Sequence, residues 1–279
     1  MTTAPARLLC GMIDLHCHLL PGIDDGAKDL QQALNMARIA VADGIAVAVM
    51  TPHHLNGVYD NPAATVREQV ATFSAELQRA GTELEILPGA ECHLVPEISQ
   101  ELADGKAMTV ADRGKAVMVE LPVHTIPMGA TSILEEIQIL GLTPIIVHPE
   151  RNAELRQKPE RLREWVAMGC LAQVTAQACT GRFGESVRRA AHHMVTRGLI
   201  HFVASDAHRD HRRVPQLRPG RAVIEQWTSP EVGQLLTEEF PRALVAGRLP
   251  ATEKLMDALD ASRQAPSIWE RFRGLSRVY

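Results

Sequence analysis

Seven short apolar runs constrain this chain more than any other feature: 12–15 (MIDL), 46–51 (AVAVMT), 84–89 (LEILPG), 116–121 (AVMVEL), 143–148 (TPIIVH), 171–175 (LAQVT) and 201–205 (HFVAS). None alternates cleanly between apolar and polar residues. A run that is apolar throughout must be covered on both faces, which is the pattern of parallel strands under helices. The intervening segments have helical periodicity. Over 29–43, Leu30, Ala33, Leu34, Ala37 and Val41 fall on one face, and Gly44 supplies a stop. Over 61–80 the spacing predicts a helix capped by Asn61, with Pro62 at its first position and Gly81 at its end. Further helices are predicted over 131–140, 159–168, 184–197 and 219–227. Strand and helix alternating about seven times describe a β/α barrel or a related closed α/β layer. After about residue 229 the strand pattern stops, and the following segment is expected to pack on the barrel as helix.

The polar residues then fall into place. His16, His18, Asp24 and Asp25 follow the first run; His53 and His54 the second; Glu91 and His93 the third. Glu120 ends the fourth, His148, Glu150 and Arg151 end or follow the fifth, and Asp206 and His208 follow the seventh. All lie at carboxyl ends of strands, the face on which β/α barrels build active sites. One such histidine is ordinary. Six strand ends carrying His, Asp or Glu would be costly to desolvate without compensation, and metal ions provide it by binding neutral imidazole and ionised carboxylate together. In an extended His-x-His the two imidazoles share one face. Nine candidate ligands (His16, His18, Asp25, His53, Glu91, Glu120, His148, Asp206 and His208) exceed the needs of one ion. Two or three divalent ions fit better, and clusters of this kind hydrolyse phosphoesters. An N/O-only ligand set suits Mn, Fe or Zn without choosing among them.

Composition narrows the field. A net charge of −4 gives no electrostatic footprint for nucleic acid, and 4% aromatic residues leave few stacking platforms. No apolar run is long enough to span a membrane, and residues 1–15 make a poor signal peptide. Five scattered cysteines (Cys10, Cys17, Cys92, Cys170 and Cys179) suit a reducing cytoplasm. None begins a Cys-x5-Arg phosphate loop, so a thiolate-nucleophile phosphatase is unsupported.

Taken in order, "DLHCHLLPGIDDGAKD", "TPHH", "LPGAECHL", "VELP", "IVHPERN" and "SDAH" resemble the PHP (polymerase and histidinol phosphatase) superfamily. They are closest to its bacterial protein-tyrosine phosphatases, often encoded with capsular or exopolysaccharide genes. The resemblance runs from about Met12 to about Trp227. It implies a distorted (β/α)7 barrel with a trinuclear metal centre, manganese being favoured. One ion would take His16, His18, Glu91 and Asp206; a second would share Glu91 and add Glu120 and His148; a third would take Asp25, His53 and His208. Arg151 matches a phosphate-binding arginine. A second such arginine corresponds to Arg213, with Arg212 close behind, in a loop "RDHRRVPQ" that departs from the family's small and polar residues. The resemblance also implies a barrel domain over 12–250, with 1–11 an extension or a mis-set start. The tail over 251–279, Arg-rich with Trp269, Phe272 and Tyr279, is expected to be a terminal helix docking its aromatics on the barrel, or a mobile or partner-contacting segment. The implied partner is a bacterial tyrosine autokinase of polysaccharide synthesis or export.

Other residues carry plainer expectations. Cys17 should point into the core, opposite His16 and His18. Asp24 is expected behind the ligands or in the turn. His54 and His93 are expected behind the ligands, on the substrate side, or as ordinary loop histidines. His192, His193, His201 and His211 are expected on the surface or in packing. Glu150 is expected to orient Arg151 or to cap the following helix. Two rivals share the ligand set: a small-molecule phosphatase of the histidinol-phosphate type, and a catalytically silent PHP regulatory module.

Overall fold

The computed structural model describes residues 11–264. Nine parallel strand segments appear: β1 (Met12–Cys17), β2 (Ile45–Met50), β3 (His53–His54), β4 (Glu85–Pro88), β5 (Glu91–His93), β6 (Ala116–Glu120), β7 (Thr143–Val147), β8 (Leu171–Thr175) and β9 (Phe202–Ala204). Seven of them fall on the seven apolar runs, and β3 and β5 continue the second and third beyond an interruption. Thr51-Pro52 separates β2 from β3, and Gly89-Ala90 separates β4 from β5. The interruptions divide the strands into two sheets, β1-β2-β4 and β3-β5-β6-β7-β8-β9. Between β9 and β1 the ladder shrinks to one parallel bridge, Cys17–Ala207. Two backbone hydrogen bonds support it, His18 N–H to Ala207 (2.9 Å) and Asp206 N–H to His16 (2.8 Å). The architecture is therefore the expected parallel α/β one, distorted at the β1–β9 seam and at the two interrupted strands.

Both faces of the strands are covered, which explains their lack of alternation. All six residues of β1 and all five of β8 are buried. Helix Leu30–Asp43 starts at Asp29, whose carboxylate accepts from Gln32 N–H, and stops at Gly44, where φ is +92°. Its buried residues Ala33, Met36, Ala37 and Ala40 face the sheet. The π-helical turn Leu235–Glu239 lies against β1 and β9 and covers their seam. Helix Glu253–Gln264 buries Leu255, Ala258 and Leu259. Of the terminal expectations, residues 1–10, Cys10 included, and 265–279 lie outside the described residues. No described helix is long and apolar enough to cross a membrane.

Two local expectations are corrected. Asn61 does not cap its helix: Pro62 is the N-cap of Ala63–Arg79 and offers no side-chain cap. The Asn61 amide instead donates to the carbonyls of His53 (2.8 Å) and Ile23 (3.1 Å), tying two strand-end loops together. Buried Glu150 accepts from Thr175 N–H at 2.9 Å. It therefore anchors the end of β8, while Asn152 caps the following helix, Ala153–Gln157.

Candidate metal centre and phosphate site

Backbone turns at the strand ends bring the polar residues to one point. Within "PGIDDG", the chain doubles back so that Gly26 lies against β1; a Cβ at Gly26 would stand 2.2 Å from the His18 carbonyl oxygen. Only glycine fits that approach, and it delivers Asp24 and Asp25 to the end of β1. His148 and Asp206 have φ of +34° and +49°. Left-handed backbone is strained in residues other than glycine. Both are strand-end residues whose side chains turn into the cluster.

The imidazoles are oriented from behind. His16 Nδ1 lies 2.9 Å from Gln173 Oε1, His18 Nδ1 2.7 Å from Asp24 Oδ2, and His208 Nδ1 3.0 Å from the Asp206 carbonyl. Each acceptor holds a proton on Nδ1 and leaves the Nε2 lone pair facing inward, as second-sphere acceptors do for metal-ligating histidines. The inward atoms are closely spaced. His16 Nε2 and His18 Nε2 stand 3.2 Å apart, and Glu91 Oε2 lies 3.3 Å from the first and 3.4 Å from the second. Asp206 Oδ1 is 3.6 Å from both nitrogens. Ligands at about 2.1 Å around a tetrahedral ion stand about 3.4 Å from one another, so the His16, His18 and Glu91 atoms could share one ion, with Asp206 adjoining both imidazoles.

Asp25 Oδ1 lies 3.3 Å from both His53 Nε2 and His208 Nε2, a second such grouping that His18 also adjoins. His53, Glu91 and Glu120 form a third. His148 Nε2 contacts Glu91 Oε1 at 2.8 Å and lies 3.8 Å from Glu120 Oε1. All nine residues singled out from the sequence therefore meet in one cluster. The grouping cuts across the sets implied by resemblance, since His18 and His53 each adjoin two groups.

The electrostatics fit cations. Burial pushes His53 down, but Asp25 and Glu91 beside it lift it to about 11. His18 is likewise raised, to about 9, with Asp24 overcoming burial. Burial would raise Glu91, yet His16 and its neighbours hold it well below the usual carboxylate range. His208 goes the other way, lowered by burial and by neighbouring His18 to about 4. At His16, His18 and His53 the carboxylates draw positive charge onto the imidazoles, and a divalent ion would supply that charge to both partners at once. Buried Glu91 Oε2 and His53 Nδ1 face each other at 3.0 Å with neither making a hydrogen bond, which marks the same place.

One edge of the cluster carries arginines. Asp206 Oδ2 accepts from both Arg151 and Arg213, while its Oδ1 faces the imidazoles. Burial would raise Asp206, but the two guanidiniums, Arg213 first, keep it well below its ordinary value. Arg151 lies over the Phe183 ring, 5.2 Å from its centroid. Arg212 does not reach Asp206, so Arg213 is the arginine of its loop that faces the cluster.

Cys17 is buried with its thiol donating to Val49 O at 3.4 Å, pointing away from the cluster. His54 pairs with Asp60 at 2.9 Å, and His93 lies 3.5 Å from Glu120. His201 is buried in packing, His192 meets Trp227 edge-on, and His211 is exposed. Sequence reasoning missed Gln173, Asp14 and Arg209. Asp14 accepts from Ser205 N–H at 2.9 Å across the seam, and Arg209 donates to the carbonyls of Asp25 and Gly26. A signal existed for two of them, because Asp14 and Gln173 are polar residues inside apolar strands.

A family model described as "Capsular polysaccharide synthesis, CpsB/CapC" matches residues 12–246. The chain is 38% identical over 227 residues to the tyrosine-protein phosphatase YwqE of Bacillus subtilis, spanning 81% of this chain and 89% of that protein. It is 32% identical over 199 residues to the putative tyrosine-protein phosphatase CapC of Staphylococcus aureus, spanning 71% and 77%. A crystal structure from work on YwqE of B. subtilis and CpsB of Streptococcus pneumoniae, described as unique metal-dependent tyrosine phosphatases, superposes with a TM-score of 0.82 and 37% identity. The superposition covers 85% of this chain and 95% of that one. The phosphotriesterase homology protein of Escherichia coli shares the fold, with a TM-score of 0.53 and 13% identity over 83% of this chain and 97% of that one.

Proposed function

The chain belongs to the CpsB/CapC family of capsular polysaccharide synthesis proteins, and from that premise we propose that it is a metal-dependent protein-tyrosine phosphatase. The observation that carries this reading is the orientation of His16, His18 and His208. Their Nδ1 atoms are committed to oxygen acceptors and their Nε2 atoms converge on acidic oxygens, beside two arginines. The proposed ligands are His16, His18, Asp25, His53, Glu91, Glu120, His148, Asp206 and His208, holding two or three divalent ions, manganese by preference. When bound, the ions supply Lewis acidity to the phosphoryl group and activate water at neutral pH.

The rest of the chemistry belongs to the side chains. Arg151 and Arg213 take the free phosphate oxygens through paired N–H donors. Phe183 under Arg151 holds one guanidinium plane. Asp206 keeps the two cations together before substrate arrives. A phenolate leaving group, with a pKa of about 10, needs little protonation, so no strong general acid is required. The proposed substrate is a tyrosine-phosphorylated protein, specifically a tyrosine autokinase of polysaccharide synthesis or export, and the proposed location is the cytoplasm. Family membership and the buried, unpaired cysteines support these assignments.

Turnover of a phosphotyrosine peptide should be compared with that of histidinol phosphate, on protein of known metal content. Preference for the phosphotyrosine peptide is expected. Preference for histidinol phosphate would replace this reading by the small-molecule one, and metal-loaded protein silent on both would favour a regulatory module.

A further inference from the structure

Beside the cluster lies a cavity of about 570 Å3 whose wall includes Asp25, His208, Arg213, Phe183, Arg182 and Arg212. Asp25 is the one carboxylate of that wall, and it already faces His53 and His208. The loop 209–213 contributes most of the positive charge, and nearly all of its polar groups are engaged. Arg209 donates to the carbonyls of Asp25 and Gly26. Asp210 accepts from Gln32 (3.1 Å) and Asn35 (3.2 Å) of helix Leu30–Asp43 and contacts His211 at 2.9 Å. Arg213 is held by Asp206. Within the loop, Arg212 is the arginine with no side-chain partner among the described residues, and the same holds for Arg182, which lines the same cavity. Both are exposed. Arg182 stands next to Phe183, whose ring lies under Arg151.

Two guanidiniums without a side-chain partner line one cavity, where a single anion could engage both. The loop that presents Arg212 is fixed at three points, so its position is set before any ligand arrives, which lowers the cost of binding. We propose that Arg182 and Arg212 form a second anion subsite, which takes an acidic or phosphorylated side chain flanking the phosphotyrosine and so sets substrate preference. The subsite rests on the phosphatase reading above but uses residues outside the metal cluster and outside the Arg151–Arg213 pair.

The test uses three phosphotyrosine peptides with flanks that are neutral, glutamate-bearing or carrying a second phosphotyrosine, with aryl phosphate as a substrate lacking flanks. Non-hydrolysable phosphonate versions of the peptides are titrated calorimetrically in parallel. The wild-type protein should favour at least one anionic peptide over the neutral one by about five- to tenfold in kcat/KM, through KM. The double variant Arg182→Gln/Arg212→Gln should lose that preference while keeping its rate on aryl phosphate. Preference for the glutamate peptide assigns a carboxylate, and preference for the doubly phosphorylated one a phosphate. Equal constants and equal phosphonate affinities for the three peptides would overturn the subsite and leave the phosphatase reading intact. Absence of turnover on every substrate would instead strike that reading, while the phosphonate titrations would still decide the subsite.

Discussion

Asp206 divides its carboxylate between two kinds of partner, imidazoles on one oxygen and guanidiniums on the other. That division links the cluster to the phosphate clamp at a single residue. It also separates the roles of its neighbours: Arg151 meets the cluster through Asp206 Oδ2, the oxygen turned away from the imidazoles, so removing it should leave the metal ligands in place. Charge-assisted contacts are worth about 1.5–3 kcal/mol each. Arg151→Ala should therefore lower kcat/KM by roughly 10- to 100-fold with unchanged metal content, and Arg213→Ala should behave similarly. Steady-state kinetics beside elemental analysis checks this; an Ala variant as fast as the parent, or one whose loss tracks lost metal, contradicts the clamp. The nine acids and imidazoles were legible in the sequence because residues of that kind rarely crowd strand ends without a purpose. Arg209 was not, because its contacts are to backbone carbonyls, which no residue pattern encodes.

At the scale of elements, the site depends on loops that return to the strand they leave. The turn after β1 brings Asp24 behind His18, where its Oδ2 also accepts from His53 N–H at 3.3 Å. Asp24→Asn keeps an acceptor of the same shape but removes its charge. Metal affinity should fall by about 10- to 100-fold with little change in fold, as measured by competition with a calibrated chelator; an unchanged affinity would show that Asp24 serves the turn alone. The seven strands and the main helices were readable from apolar periodicity, since burial on both faces demands it. The continuations of the second and third strands were not, because they lie beyond the apolar runs in short segments, His53–His54 and Glu91–His93, that carry no apolar pattern. Asn61 misled for a related reason. A cap is a local signal, whereas its actual acceptors, the Ile23 and His53 carbonyls, come from other loops.

For the whole molecule, the cluster concentrates charge at one end of a strand assembly whose interior is mostly apolar, with Asp14, Glu150 and His201 among its buried polar residues. One titratable group far from the cluster reports on that interior. His201 is buried between β8 and β9, accepts from Ala172 N–H at 3.1 Å and is pushed down by burial to about 4. Between that value and the ordinary value near 6.5 the unfolded chain binds a proton that the folded chain does not. Its contribution to stability is thus complete above about pH 6.5 and is lost as pH falls toward 4, about 2 kcal/mol between pH 7 and pH 5. His201→Gln keeps an acceptor for Ala172 and should remove that share of the pH dependence in urea unfolding; equal slopes for variant and parent would contradict it. The metal cluster underlies every proposed role, and one measurement addresses it directly: metal content by elemental analysis, followed through chelation and re-addition, with phosphotyrosine turnover read at each step. Two or three divalent ions per chain, activity lost with them and restored by Mn, Fe or Zn, is the predicted result. Full phosphotyrosine turnover by protein shown to be free of metal would contradict it.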